Sequence, residues 1–213
     1  MTPADDRPDA ELVRRAAAGE RDAFAAIYER HRTVVYRFAR LMSGSAATAE
    51  DVTQEVFVTL MRTLVRYEPH RAELLTYLYG LARNVTRNRL RRERRFVTLD
   101  ASVERTATNA DDPCAAAEHS QQLLQLRRVI LTLPSRYREA VILYDVHGLS
   151  YAEAARVLQA PVGTLRSRLN RGRQMIAARM PDGATVRGCD GAKVRRSGVS
   201  APSHLAPSHR GFV

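Results

Sequence analysis

The segment from Leu149 to Met175 most constrains how this chain of 213 residues can fold. Ser150 can cap a short helix, and Glu153, three positions later, can complete a capping box. Pro161 then interrupts the chain before a second helical segment begins. The apolar residues of that second segment recur at helical spacing and form one buried stripe: Val162, Leu165, Leu169 and Ile176. The pattern predicts a helix-turn-helix.

The second helix of this unit carries arginines and amides but no acid. At about 100° per residue, four polar side chains point outward: Ser167, Asn170, Arg171 and Gln174. Three more arginines flank them: Arg166, Arg168 and Arg173. In a major groove Arg pairs with guanine and Asn or Gln with adenine, so the helix is suited to duplex DNA. The alternative is a solvated basic helix, although such helices usually intersperse acids.

Charge and composition favour a nucleic-acid partner over a membrane. The formal net charge is +11, and no apolar run approaches the roughly 20 residues needed to span a bilayer. The acidic N-terminal residues do not resemble a secretory signal, so we expect a cytoplasmic protein. Cys114 and Cys189 lie far apart, which favours neither a disulfide scaffold nor a zinc module. We expect no cofactor and no metal.

The composition divides the chain into two helical blocks, 9–96 and 120–180. Residues 97–119 are acidic and rich in turn formers, so they are predicted to be a flexible linker. Residues 1–8 and the Gly-, Ser-, Pro- and His-rich tail 181–213 are predicted to be disordered. The expected fold class is therefore all-α, with two small helical domains on a tether.

The first block contains an acidic patch on an otherwise basic protein. Thr48 is a candidate helix cap, and Glu50 would then lie near the positive end of the helix. Asp51, Gln54 and Glu55 share a further face, because they lie three and four residues apart. This patch is either an ordinary solvated face or a docking site for a basic partner.

A helix from about Ala72 to Arg95 becomes strongly basic from Arg83 onward. Its predicted core stripe consists of Leu74, Leu78, Leu81 and Val85. Its exposed rows combine one aromatic with amides and guanidiniums: Tyr77, Asn84, Arg87, Asn88 and Arg91. Such a face can follow phosphates while a ring stacks on an unpaired base. The alternative is that Tyr77 and Tyr79 are half-buried core aromatics.

Taken together, the motifs resemble the bacterial extracytoplasmic-function (ECF) sigma factors of the sigma-70 family. The matching segments, in order, are DVTQEVF at 51–57, YL at 77–78, ARN at 82–84, LP at 133–134, YR at 137–138 and GTLRSRL at 163–169. The resemblance covers about residues 9–180. It implies a non-enzymatic protein with a sigma region 2-like domain and a region 4-like domain.

The resemblance also implies partners. The first domain would bind RNA polymerase core and the −10 promoter element, with Asp51, Gln54 and Glu55 docking on the β′ clamp helices. The second would contact the β flap and read the −35 element. The linker would thread toward the RNA exit path. An anti-sigma factor is a further implied partner, and the free protein would be a monomer.

Roles for DNA-contacting residues follow from the same resemblance. Tyr77 stands where many members carry Trp and would hold the melted fork. Asn84 and the loop 67–73 would contact non-template bases. The other exposed residues of that helix would also bind the −10 DNA: Arg87, Asn88 and Arg91. The residues expected to face −35 bases are Arg166, Ser167, Asn170 and Arg171, and Thr164 is expected to bind the −35 DNA as well. Arg168 and Arg173 would contact phosphates.

Two other classes of function remain open from the sequence. A conventional helix-turn-helix regulator would use the same second domain, but it would not need the acidic patch and the basic helix of the first. An enzyme acting on DNA would need clustered metal-binding carboxylates or an activated nucleophile. The acids are dispersed on helix faces, and the six histidines form no ligand spacing.

Overall fold

The computed structural model describes residues 7–68, 72–97 and 117–180, and within these ranges it contains helices and no strand. The α-helices are α1 (Asp9–Ala17), α2 (Arg21–Ser43), α3 (Ala46–Thr63), α4 (Leu74–Val97), α5 (Ala117–Thr132), α6 (Ser135–Val141), α7 (Tyr151–Leu158) and α8 (Val162–Ala177). A 3₁₀ turn spans Leu64–Arg66, and a π-helical turn spans Ile142–Val146. The predicted all-α class is confirmed. None of the helices in these ranges has the length and apolar character needed to cross a bilayer.

Some predictions fall on residues outside the described ranges. These are most of the predicted linker, the predicted tail and both cysteines. Helix α5 begins at Ala117, three residues earlier than the predicted start of the second block.

The first domain is a bundle in which α2, α3 and α4 pack on one another and α1 packs on α2. Its core is closed by large apolar side chains that are fully buried, among them Ile27, Phe38 and Leu78. At the start of α1, Asp9 Oδ2 lies 3.0 Å from His31 Nε2, and Arg30 donates to Asp9 Oδ1 at 2.6 Å. These bonds tie α1 to α2.

Helix α3 begins earlier than the sequence pattern predicted. Gly44, with φ of 81°, ends α2 in a left-handed conformation that glycine adopts without strain. Ser45 follows immediately and caps α3, its Oγ accepting from the Thr48 N–H at 3.2 Å. The prediction that Thr48 is the cap was wrong, because Ser45 is the first capping residue that the chain reaches. Glu50 consequently lies beyond the first turn of the helix.

The second domain consists of α5 to α8 and the π-helical turn. Leu165, Leu169 and Ile176 of α8 are buried against α6 and α7, as the periodicity predicted. Gly172 is buried among them, and a Cβ at this position would lie 2.8 Å from Val141 Cγ2. The helices α6 and α8 approach as closely as they do because residue 172 has no side chain.

The two domains pack against each other, a feature that the sequence did not predict. Arg83 of α4 is 6% exposed and donates from Nε to Glu139 Oε2 of α6 at 2.8 Å. Arg138 donates to the Met42 carbonyl at 2.7 Å. The His147 ring lies against an aromatic pair of the first domain. The sequence analysis noted Arg83 only as the start of the basic run of α4, and the structure shows that its side chain is buried in the contact between the domains.

Candidate nucleic-acid and partner interfaces

The helix-turn-helix forms as its sequence signals predicted. Ser150 Oγ accepts from the Glu153 N–H at 3.3 Å, and Glu153 Oε2 accepts from the Ser150 N–H at 2.7 Å, which completes the capping box. Gln159 then takes a left-handed conformation with φ of 52°, and Pro161 occupies the N-cap position of α8. The sequence did not indicate Gln159, because Gly or Asn is the usual residue in this conformation. The turn holds α8 across α7.

The exposed face of α8 is polar along its whole length. The side chains that are exposed are Arg166, Ser167, Asn170, Arg171, Arg173 and Gln174, whereas Thr164 and Arg168 are half-buried. The orientation expected from periodicity is therefore confirmed for Leu165, Leu169 and Ile176 and for the outward-facing residues, whereas Val162 of the predicted stripe is half-buried. A face of this kind presents guanidinium and amide groups, which can read base edges in a major groove.

The arginines of α8 differ in how firmly they are held. Arg173 donates from Nε to Asp145 Oδ2 at 3.1 Å and from a terminal nitrogen to Asp145 Oδ1. The hydrogen bonds that Arg173 donates to Asp145, whose side chain is only 6% exposed, raise the pKa of Arg173. Arg171 has a longer contact, 3.4 Å, with the Gln174 side chain. Arg173 is thus fixed to the domain, while Arg171 extends from it.

Two tyrosines connect Arg173 with Arg166. Tyr144 and Tyr151 stack with ring centroids 4.4 Å apart and planes inclined by 28°. The Arg173 guanidinium lies 5.6 Å from the Tyr144 centroid, and that of Arg166 lies 5.2 Å from the Tyr151 centroid. We call Arg173, Tyr144, Tyr151 and Arg166 the tyrosine ladder. A hydrogen bond with Tyr151 raises the pKa of the Tyr144 phenol.

The sequence did not single out Tyr144, Asp145 or Tyr151. Asp145 lies 28 residues from Arg173. The π-helical turn also changes the angular spacing of its side chains, so α-helical periodicity does not show which face they occupy. The one available signal was the adjacent pair of Tyr144 and Asp145, just before the capped helix-turn-helix.

The basic face of α4 is partly as predicted. Asn84, Asn88 and Arg91 are exposed, and Arg87 is half-buried with its Nε 3.7 Å from Glu139 Oε1. This row forms a continuous polar surface along the outer side of the helix.

The tyrosines near the start of α4 occupy different environments. Tyr79 is 1% exposed, and burial raises the pKa of its phenol, so the core alternative is correct for this residue. Tyr77 is half-buried, donates to Thr63 Oγ1 at 3.1 Å, and has its ring centroid 5.2 Å from that of Tyr67. Tyr67 in turn donates to the Ala72 carbonyl at 2.7 Å across the loop, of which residues 69–71 lie outside the described ranges.

The predicted acidic patch lies on the exposed face of α3. Asp51, Gln54 and Glu55 are all exposed, and Asp51 forms an ion pair with Arg89 of α4. The same face continues into apolar side chains that remain in solvent: Val58 (40% exposed), Met61 (57%) and Val65 (81%). We call these six residues the α3 face. The sequence reasoning missed its apolar half, although the spacing of three and four residues could have shown it.

Clusters of three or more potential metal ligands do not occur in the ranges that the structure describes. The predicted site residues lie on three surfaces: the α3 face, the outer row of α4 and the exposed face of α8.

Comparisons with known proteins match both domains. The Sigma-70 region 2 family matches residues 27–96, and the Sigma-70 region 4 family matches residues 123–176. The ECF RNA polymerase sigma factor SigW of Bacillus subtilis is 29% identical, over 80% of this chain and 95% of that protein. The ECF RNA polymerase sigma factor SigC of Mycobacterium tuberculosis is 33% identical, over 86% of this chain and 98% of its own length.

Two solved structures have a similar fold. One is the sigma factor RpoE in complex with the anti-sigma factor NepR from Bartonella quintana, with a TM-score of 0.62 and 24% identity, covering 73% of this chain and 94% of that one. The other is CnrH in complex with the cytosolic domain of CnrY, with a TM-score of 0.60 and 22% identity, covering 80% and 95%.

Proposed function

The chain belongs to the ECF RNA polymerase sigma factors of the sigma-70 family, and from this premise we propose how its surfaces divide the work of transcription initiation. It is a transcription initiation factor with DNA-binding regions, and its family is non-catalytic. A conventional helix-turn-helix regulator is not favoured, because such a protein does not account for the region 2 domain. The exposed guanidinium and amide face of α8 is the observation that carries the assignment of roles.

We assign polymerase core binding to the α3 face. Its acidic end suits a basic partner such as the β′ clamp helices, and its apolar end supplies exposed carbon surface that a protein interface can bury. Charged groups at an interface mainly steer association and fix register, whereas buried apolar anchors supply affinity. The two halves of the face thus have different roles. Contact of the second domain with the β flap remains a proposal on the resemblance alone.

We assign the −10 element to the outer row of α4. Asn84, Asn88 and Arg91 are exposed there and can contact phosphates and unpaired bases. Tyr77 lies at the end of this row nearest the start of α4, and its hydroxyl donates to Thr63. Its ring would serve as a stacking platform for a base at the melted fork.

We assign the −35 element to α8. Arg166, Ser167, Asn170 and Arg171 are the exposed groups best placed to reach base edges, with Thr164 at the start of the helix. Arg168, on the flank, would contact a phosphate. The capping box and the glycine-mediated contact of α8 with α6 support this role, because they hold the helix rigidly on its domain.

The packing of the two domains must open when both elements are bound. A compact protein of this size has a diameter of about 40 Å. The −10 and −35 elements lie about 25 base pairs apart, which is about 85 Å of B-form DNA at 3.4 Å per pair. Arg87 is also close to Glu139 in the packed arrangement, so DNA contact by Arg87 requires their separation. We propose that polymerase binding drives this opening.

We further propose a protein of the anti-sigma class as a regulatory partner. The proposal is supported by family membership, and one protein of similar fold is described as a complex with an anti-sigma factor.

Run-off transcription with purified core polymerase tests the proposed function. The full chain added to core should produce promoter-dependent transcripts from a promoter among its genomic binding sites, and core alone should not. Absence of transcripts, together with absence of core binding in gel filtration, would contradict the assignment. A conventional regulator would bind the promoter without entering the polymerase complex.

A further inference from the structure

We propose that Tyr151 is a positioning residue for promoter reading, because its ring holds Arg166 for a guanine of the −35 element. The inference rests on the proposed role of α8. It adds a determinant of specificity that lies outside the recognition helix and does not itself touch a base.

The tyrosine ladder matches the geometry of α8. Arg166 and Arg173 are seven residues apart, so they lie on one side of the helix, about 10.5 Å apart along its axis. The stacked tyrosines span this distance beside the helix. The lower end of the ladder is anchored, because Arg173 is bonded through two nitrogens to the nearly buried Asp145. The upper end, Arg166, is exposed.

Contact with a ring leaves the guanidinium able to read a base. Arginine stacks through its planar face, and its N–H donors lie at the edges of that plane. A guanidinium held over Tyr151 can therefore still donate to O6 and N7 of guanine. Orienting the side chain before DNA arrives removes part of the entropic cost of ordering it in the complex. From the usual strength of an exposed cation–π contact, this corresponds to about a two- to fivefold gain in affinity.

Arg173 has a different part in this proposal. Two of its nitrogens donate to Asp145 and its guanidinium lies over Tyr144, so the side chain is held by its own domain. We therefore assign it to support of the ladder, in place of the phosphate contact that the family resemblance implied.

The test is promoter binding by reconstituted holoenzyme. Affinity is measured for one promoter and for a panel of its single base-pair substitutions through the −35 element. Tyr151→Leu removes the ring, Tyr151→Phe retains it, and Arg166→Ala removes the group that is positioned. Arg168→Ala serves as the comparison on the other flank of α8. Thermal unfolding of each variant checks that it is folded.

Five results support the proposal. Tyr151→Leu lowers affinity about two- to fivefold. Tyr151→Leu also removes the preference for one base pair of the −35 element, the same one whose preference Arg166→Ala removes. The double variant Tyr151→Leu/Arg166→Ala shows no further loss of affinity. Tyr151→Phe restores the wild-type profile. Arg168→Ala lowers affinity about equally for every promoter of the panel.

Other results overturn it. An equal loss on all promoters for Tyr151→Leu, or full additivity with Arg166→Ala, would show a merely structural role. If Tyr151→Leu does not fold, Asp145→Asn is measured in its place. An unchanged preference at the base pair assigned to Arg166 would then contradict the role of the tyrosine ladder. If wild-type holoenzyme forms but has no −35 preference, the proposed role of α8 fails as well. If holoenzyme does not form, the proposed core binding fails.

Discussion

Arg83 and Glu139 form an ion pair across the two domains, 56 residues apart in sequence and almost fully buried, with Arg83 Nε 2.8 Å from Glu139 Oε2. Removing one partner of a buried pair typically costs about 3–5 kcal/mol, because the other charge is left without compensation. In the opening proposed above, the domains separate and Arg83 regains water instead. The packed arrangement of the two domains therefore depends on the charge of Glu139.

Glu139→Ala should open the free protein rather than unfold it. The radius of gyration from small-angle scattering should increase, and the outer row of α4 should bind single-stranded −10 DNA more tightly because Arg87 is released. Asp51→Asn is the control, since Asp51 belongs to an exposed ion pair. An unchanged radius together with a lowered melting temperature would show that Glu139 serves only the stability of its own domain.

Asp9 should contribute stability that is lost in acid. Burial alone would raise the pKa of Asp9, but its hydrogen bonds and charge interactions with His31 and Arg30 outweigh this and lower the pKa. A lowered pKa in the folded state stabilises above the unfolded value of about 3.9, and the contribution is lost as pH falls through the folded value.

Asp9→Asn should therefore destabilise the protein at pH 7 by about 1 kcal/mol. Below pH 4 the difference from wild type should shrink. Urea unfolding at both pH values measures it, with the exposed Glu50→Gln as control. A difference that does not depend on pH would refute the electrostatic role of Asp9.

Gly172→Ala should destabilise the second domain. The new Cβ would lie 2.8 Å from Val141 Cγ2, and overpacking of this kind costs about 1–3 kcal/mol, which exceeds the gain of about 1 kcal/mol in helix propensity. Gly163→Ala is the matched control on α8, because nothing lies within 4 Å of its new Cβ. Chemical denaturation should show a lower free energy of unfolding for Gly172→Ala. Adding Val141→Ala should relieve this loss, because it removes the methyl group that the new Cβ meets. Equal stability of both glycine variants would contradict the close-packed contact.

Met61→Ser should weaken polymerase binding without affecting the fold. Met61 is 57% exposed, so its replacement removes little core packing, whereas burial of its side chain in an interface contributes about 1–2 kcal/mol. Fluorescence anisotropy with core polymerase would measure a roughly tenfold loss. Leu124→Ser, on another exposed apolar residue, provides the comparison. Equal affinity of the Met61 variant and wild type would remove the apolar half from the α3 face.

The sequence was sufficient for the features that depend on local patterns. The capping box of Ser150 and Glu153 and the buried stripe of α8 follow from spacing within one element, and both are as predicted. The Arg83–Glu139 pair and the contact of Asp145 with Arg173 could not be predicted. Each joins residues far apart in the chain, and their pairing depends on how the helices pack.

The error at Thr48 has a local cause. Several residues near the start of α3 can cap a helix, and the choice between them was made by the position at which Gly44 ends α2. Arg83 shows the converse problem, because an arginine within a basic run gives no local sign that it is buried. In both cases the missing information lies in a neighbouring helix.

Reversing the charge of Asp51 and Glu55 together tests the division of roles between the α3 face and α8 most directly. The variant D51R/E55R should lose binding to core polymerase. Both substitutions lie outside residues 117–180, so a fragment of that range would not contain them and the measurement uses the full chain. The full chain is titrated with core polymerase and, separately, with a short −35 duplex. Core binding should be lost while affinity for the duplex is retained. Loss of both with a lowered melting temperature, or retention of core binding, would contradict this division of roles.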